Sequence, residues 1–351
     1  MHKRKKFVSL LAGIVAAVML LSLLLSGCAS PAQPEKKQYT ATFLTLFDTV
    51  TTIVGRGNSK EEFESKTQAI HDELLEYHQL FDIYKDYEGI NNLKTVNDQA
   101  GIVPVVVDSR IIALLKDCKI YYDLTGGKVN AAMGSVLKLW HEARTDSIND
   151  PANAYLPKEE NLREAALHTG IDCVEIDEAA STVFITDPKT RLDVGAIAKG
   201  WSAQRVCENA PAGLLVSVGG NVFATGPKDE AGTPWVVGIQ NPEGGDQYLH
   251  TVYVTEGSVV TSGDYQRNFA VDGELYHHII DPEALYPSEY WRSVTVICAD
   301  SGLADALSTA LFLLPQAEGQ VLLDQCSAMA MWVDRAGNKY YSPGFEEIIR
   351  T

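Results

Sequence analysis

Two side chains four residues apart in one apolar segment give the sharpest chemical signal in this chain. In residues 301–315 (SGLADALSTALFLLP), Asp305 and Thr309 fall one turn apart on the same face of an expected helix. A carboxylate and a hydroxyl at that spacing offer hard oxygen ligands, suited to a Mg²⁺ ion that also holds substrate phosphates. The plain alternative is that Thr309 bonds back along its own helix and Asp305 is solvated. An acidic residue in so apolar a helix favours the ligand role.

Three further segments could take part in the same chemistry. In residues 191–201 (RLDVGAIAKGW), a short strand ending near Asp193 meets a Gly-Ala step and then a helix starting around residues 196–199. Amides at a helix N-terminus beside Lys199 make an anion site suited to phosphate, although the spacing is not that of a P-loop. A plain strand–turn–helix with a surface lysine would read the same. Residues 259–282 (VVTSGDYQRNFAVDGELYHHIIDP) hold two strand-like stretches, a Thr-Ser-Gly turn, an arginine and the pair His277-His278. Histidines near an aspartate suit acid–base or ligand work, with a structural histidine as the alternative. Neighbours on a strand face opposite sides, so at most one of the pair points into a given pocket. In residues 216–226 (VSVGGNVFATG), Gly219-Gly220-Asn221 after an apolar strand implies close approach by a ligand or neighbour, or simply a turn.

The elements that must position these groups are readable in outline. From Ser59 to about Tyr84 the pattern is helical, with Phe63, Ile70, Leu74, Tyr77 and Phe81 on one stripe and a capping box of Ser59 with Glu62. A second helix is expected over 109–123, with Ile111, Leu115, Cys118 and Tyr122 inward. Strands are expected at 43–54, 103–107, 183–186, 214–218, 235–239, 251–255, 293–298 and 328–333, and helices after Gly195 and after Ser301. Strands and helices are interspersed without regular βαβ alternation, which indicates an α+β fold. A polar, Pro/Asn-rich stretch at 146–161 (DSINDPANAYLPKEEN) is expected to be a loop between two lobes, and no repeat of fixed period is found.

Composition narrows the partners. With 46% hydrophobic and 21% charged residues, the 351-residue chain is neither disordered nor fibrous. Its 29 basic residues face 46 acidic ones, a formal charge of −17. Such a body repels phosphate backbones, so nucleic-acid binding is excluded as a function. An anionic ligand must be held by local cations, a helix N-terminus or a metal.

Residues 1–27 read as an export signal: Lys3, Arg4, Lys5 and Lys6 lead into an apolar run from Phe7 to Leu25, then Ser26-Gly27-Cys28. The run is long enough to span a bilayer, so an uncleaved anchor is the alternative. Small residues before Cys28 and the polar tether that follows, to about residue 40, favour lipidation of Cys28. Two acyl chains on its thiol would hold the protein on the outer side of a bacterial cell membrane. The remaining cysteines, 118, 173, 207, 298 and 326, are odd in number and widely spaced, which indicates neither a zinc site nor a disulfide framework.

Taken in order, LDVGAIAKG, SVGGN, TSGDY, HIIDP and ADALST resemble the FAD:protein FMN transferase (ApbE) family over nearly the whole mature chain, from LFDTVTTI near residue 46 to Pro315. The resemblance implies a duplicated, tunnelling-type α+β fold of mixed sheets with packed helices, residues 41–351 forming one flavin transferase domain of two intertwined lobes. It implies an enzyme that takes FAD with Mg²⁺, links FMN through a phosphoester to a threonine of an exported redox protein, and releases AMP. It places metal ligands at the Ala196 carbonyl and the Asp305 and Thr309 side chains. Flavin contacts fall at Phe47, Tyr84, Lys128, Val129, Asn130, Asp193, Lys199 and Ile280, and catalytic roles at His278, as a base for the threonine, and Asp305. Ser308 stands where some members carry an acidic ligand.

The chain departs from the family pattern in four places. Phe47-Asp48 replaces Met-Gly, Asn130 and Ala132 replace Asp and Thr, Ala284-Leu285 replaces Thr-Gly, and His141 replaces a Gly after Leu-Trp. An intact metal helix leads to the expectation of an active enzyme with altered affinity. Two other functions fit the same segments: an FAD pyrophosphatase in which water replaces threonine, and a non-catalytic flavin- or solute-binding lipoprotein. An electron carrier that keeps its own flavin is a further alternative.

Overall fold

The computed structural model describes residues 36–245 and 247–350. The leader and Cys28 lie outside them. The chain enters on β1 (Lys37–Phe43), passes a short 3-10 turn at Leu46–Asp48 and returns on β2 (Thr51–Gly57). Helix α1 (Lys60–Phe81) and α2 (Leu93–Asp98) follow, then β3 (Val105–Val106), α3 (Ser109–Leu124), α4 (Gly134–Asn149) and α5 (Glu159–Ala166). The hairpin of β4 (Val174–Asp177) and β5 (Thr182–Ile185) leads to α6 (Ala198–Glu208). Next come β6 (Leu214–Val218), β7 (Asn221–Thr225), β8 (Trp235–Gln240), β9 (Tyr248–Val254), β10 (Glu256–Gly263), β11 (Phe269–Val271), β12 (Glu274–Tyr276) and β13 (Trp291–Cys298). The chain closes with α7 (Ser301–Phe312), α8 (Gln316–Leu323), β14 (Ala328–Asp334) and β15 (Lys339–Tyr341).

Eight strands form the main sheet in the order β1-β2-β6-β7-β10-β13-β14-β15. Alternation along each strand decides its two faces. Ile53, Val216, Val260, Val294, Val296 and Trp332 face the core shared with α1, α6 and α7. Their neighbours Ala224, Val259, Met331 and Val333 face a second core, closed by the β8–β9 hairpin and Phe345. A third cluster joins Val136, Trp140 and Ala143 of α4 to Leu162, Phe269 and Val271. The fold is therefore α+β, as expected. Every strand pair of described register is antiparallel, a narrower arrangement than mixed sheets.

Several expectations are corrected. The stretch 43–54 is not one strand: Phe47 and Asp48 adopt φ of 52° each, and the chain reverses between β1 and β2. β1 begins at Lys37, so the last residues assigned to the tether belong to the sheet. Residues 261–263 end β10 instead of forming a turn. The polar stretch 146–161 contains the end of α4 and the start of α5, and both sides of it belong to one compact unit running from Gln38. In α3 the buried ring at the helix end is Tyr121, while Tyr122 is half-buried. Half of the expected capping box forms: Ser59 Oγ accepts from Glu62 N–H at 3.1 Å, but the Glu62 carboxylate turns to Asn58 and Lys66.

Candidate active site

The centre of the site is the crossing of α6 and α7. Gly200 on α6 permits it, because a Cβ there would lie 2.3 Å from the Ser301 carbonyl and 2.5 Å from Asp305 Cβ. The same closeness lets Gly200 N–H donate to Asp305 Oδ2 at 2.8 Å. The helix N-terminus expected to hold a phosphate is thus occupied, at this amide, by the chain's own carboxylate, which the helix dipole favours. Asp305 is 4% exposed, so it is not solvated. Burial raises its pKa, and Lys199 and the Gly200 amide pull it back. Asn221, at the start of β7, has a buried amide nitrogen with no hydrogen-bond partner.

Thr309 borders the same cavity. Its hydroxyl forms no bond back along α7 among the described residues and instead lies 3.5 Å from Ser262 Oγ on β10. Both halves of the plain reading of this helix, a solvated Asp305 and a back-bonded Thr309, are therefore corrected.

The cavity encloses about 260 Å³. Tyr84, Lys128, Val129, Asn130, Asp193, Ala196, Lys199, His278, Ile280, Asp305 and Thr309 all border it. Phe47 does not border it; its neighbours Asp48 and Thr49 do. Phe47 packs edge-on against His78, with ring centroids 5.6 Å apart, and its N–H donates to His78 Nδ1 at 3.2 Å. Gly219 takes a φ of 59° in the tight β6–β7 turn, and its missing side chain makes room for Thr49.

Helix α1 stops at Phe81, short of the expected Tyr84, because Asp82 Oδ1 accepts from the Tyr84 and Lys85 amides at 2.7 and 3.1 Å. That turn sends Tyr84 to the cavity mouth, 54% exposed and stacked on His141 at 5.1 Å. Asp193 Oδ1 accepts from Gly195 N–H at 2.8 Å, and burial pushes its pKa up. Lys199 Nζ donates to the Gly195 carbonyl at 3.2 Å. Lys128 pairs with Asp281 at 3.1 Å and Glu283 at 3.0 Å; burial opposes its charge, and these partners outweigh it.

Asn130 is committed at both ends. Its Nδ2 donates to the Thr169 carbonyl and its Oδ1 accepts from Ala132 N–H, each at 2.8 Å. An aspartate could not make the first of these bonds.

The histidine pair lies just beyond β12, so strand alternation does not govern it, and both residues border the cavity. His277 is structural: Nε2 donates to the Ser288 carbonyl at 2.8 Å and Nδ1 accepts from Ile279 N–H at 3.2 Å. His278 Nδ1 is buried without a partner. Burial, with Arg267, His277, Lys199 and Arg144 nearby, lowers the His278 pKa to about 3.

Sequence reading missed one cation of the site, Arg144, and noted a second, Arg267, without a role. Arg144 stands on α4, which was not anticipated, and meets His141 Nδ1 at 3.2 Å. The helical spacing of Val136, Trp140, Ala143 and Ser147 carried that signal. Arg267 follows β10 with φ of 44° and borders the cavity. Leu285, where glycine is usual in the resembling pattern, keeps the left-handed backbone at φ 62°, and its carbonyl accepts from Trp140 Nε1 at 3.0 Å.

No group of three or more His, Cys, Asp or Glu that could hold a metal occurs among the described residues. The donors at hand are one buried carboxylate, one hydroxyl and a backbone carbonyl, a set that fits a hard divalent ion completed by phosphate oxygens. The five cysteines of the described residues are free.

An α+β fold whose cavity gathers carboxylates, histidines and the cations Lys128, Arg144, Lys199 and Arg267 has the charge to receive an anionic ligand. The ApbE family profile matches residues 46–332. An FAD:protein FMN transferase of Treponema pallidum is 36% identical over 249 residues, 66% of this chain and 67% of the relative. One from Klebsiella pneumoniae is 34% identical over 268 residues, 73% and 80% of the two chains. The crystal structure of an ApbE protein from Thermotoga maritima superposes with a TM-score of 0.79 at 29% identity, covering 90% of this chain and all of that one. The chain belongs to the ApbE family.

Proposed function

We propose that this protein is an enzyme that transfers FMN from FAD to a threonine hydroxyl of an exported redox protein, with Mg²⁺, forming a phosphoester and releasing AMP. The observation that carries the reading is the convergence of Asp305, Thr309, Lys199 and His278 on one cavity. Lys199, Arg144 and Arg267 supply positive charge there for the pyrophosphate of FAD. Asp305, Thr309 and the Ala196 carbonyl would hold the cation, whose part is to neutralise and align the phosphate oxygens. His278 borders the same cavity with a free Nδ1, and for it to take the proton of the incoming threonine hydroxyl the bound phosphates must raise a basicity that burial and the nearby cations hold down. The threonine oxygen bonds to the FMN phosphorus as the bond to the AMP oxygen breaks. Tyr84 and Ile280 offer a ring and an apolar surface for the flavin.

A strongly acidic body that brings Lys128, Arg144, Lys199 and Arg267 to one cavity favours FAD binding there over binding elsewhere. Anchoring through a lipid on Cys28 would place the enzyme beside exported acceptors at the membrane. Among the described residues, no helix is long and apolar enough to cross a membrane.

The test is mass spectrometry of a candidate acceptor incubated with the protein, FAD and Mg²⁺. An added FMN mass on a threonine, lost on chelation, is the expected result. FMN and AMP released with the acceptor unmodified would reassign the protein as a pyrophosphatase. Stoichiometric FAD retention without turnover would make it a binding protein. Comparing the intact masses of wild type and Cys28→Ala checks the anchor: the variant should keep its leader and lack lipid.

A further inference from the structure

We infer that Ser262 is a positioning residue for Thr309: it accepts the threonine's hydroxyl proton and so turns the lone pairs of Thr309 Oγ1 toward the cavity. The inference rests on the cation role proposed above for Asp305 and Thr309.

The direction of a chain of hydroxyls is set at its end. Ser308 Oγ lies 2.9 Å from the Asp305 backbone carbonyl, which can only accept, so Ser308 donates there. A hydroxyl has one hydrogen. With that of Ser308 committed, its 2.8 Å contact with Ser262 Oγ requires Ser262 to donate. Toward Thr309 Oγ1, 3.5 Å away, Ser262 can then only accept. At the outer limit of hydrogen bonding, this last contact orients Thr309 without locking it.

The usual competitor is displaced by the same relay. A helical threonine commonly bonds the carbonyl four residues back, which for Thr309 is that of Asp305. Ser308, fully buried on the same helix, reaches that oxygen instead. The Thr309 hydrogen is left to point at β10, which packs against α7. Ser308, which stands where the resembling pattern sometimes carries an acid, thereby acts on the site through hydrogen-bond polarity and contributes no charge.

The test is binding of Mn²⁺, a hard cation visible by electron paramagnetic resonance, to the full chain at a fixed concentration of inorganic pyrophosphate, whose oxygens complete its ligands. Ser262→Ala should weaken Mn²⁺ binding roughly three- to tenfold, the worth of one neutral hydrogen bond, and Ser262→Thr, which keeps the hydroxyl, should restore it. In a Thr309→Val background, Ser262→Ala should change nothing further. Ser308→Ala frees the Ser262 hydrogen to turn onto Thr309 and should give the same loss from the other end of the relay; it decides the matter if Ser262→Ala does not fold. Unchanged Mn²⁺ affinity in Ser262→Ala, the same loss in Ser262→Thr, or an undiminished loss in the Thr309→Val background would overturn the inference. If wild type itself binds no Mn²⁺, the cation reading fails and the inference with it. That result is distinct from wild-type binding that Ser262→Ala leaves untouched.

Discussion

Lys199 Nζ stands 3.9 Å from Asp305 Oδ2 while it donates to the Gly195 carbonyl at 3.2 Å. The lysine is near enough to favour the carboxylate's charge and too far to form a tight ion pair with it. A buried carboxylate left partly uncompensated in this way is costly alone and well disposed toward a cation.

Asp305→Asn keeps an acceptor for the Gly200 amide and removes the charge. FMN transfer should fall about a hundredfold or more, on the scale seen when a key electrostatic group is lost. The melting temperature should hold or rise, since a buried charge has been deleted. Rates across a Mg²⁺ titration, beside a thermal melt, check both; near-normal turnover would take α7 out of the chemistry.

Gly200→Ala tests the helix crossing. Its Cβ would meet the Ser301 carbonyl at 2.3 Å, a backbone atom that cannot swing aside. The two helices must separate, at a cost of about 1–3 kcal/mol. The urea midpoint should drop, and transfer should fall further than the stability loss explains, because Gly200 N–H also holds Asp305.

Asn130→Asp restores the residue usual in the resembling pattern and should nonetheless do harm. A carboxylate would face the Thr169 carbonyl, acceptor against acceptor, where the amide now donates at 2.8 Å. A stability loss of about 1–3 kcal/mol is expected, with no gain in FAD affinity. Denaturant curves and flavin fluorescence titration measure the two; tighter FAD binding with full stability would contradict this account.

Acid lability should track the buried histidines. His278 falls to about 3, and burial also lowers His277 and His141. In the unfolded chain these rings protonate near pH 6.5. Between that value and their folded ones the unfolded state binds more protons, so stability falls as pH drops through this window. Urea midpoints at pH 7 and pH 5 should differ less for His278→Gln than for wild type.

Where local rules decide structure, the sequence was readable. β6 matches its expected bounds, and α7 starts at the expected Ser301, with Asp300 capping it by accepting from Leu303 N–H at 2.7 Å. Its Asp305/Thr309 pair reaches the cavity as spacing required. What stayed hidden depends on long-range contact. The anion at the N-terminus of α6 comes from a residue 105 positions away. The use of both His277 nitrogens is set partly by Ser288, across a loop. Phe47 leaves the cavity because His78, on another element, captures it.

Asp48 and Leu285 hold left-handed backbone where glycine would hold it freely, at a cost of about 1–2 kcal/mol each. Leu285 is kept there from outside, by the Trp140 indole on its carbonyl and by its apolar neighbours. The shape of this loop is therefore shared between its surroundings and its own bonds, Asp281 Oδ1 accepting from the Glu283 and Ala284 amides at 2.7 and 3.1 Å. Grafted alone onto a relative, the segment 281–287 should populate this conformation less fully than when it is grafted with Trp140. A glycine-based motif search would pass over such a loop, although its backbone has kept the glycine's conformation.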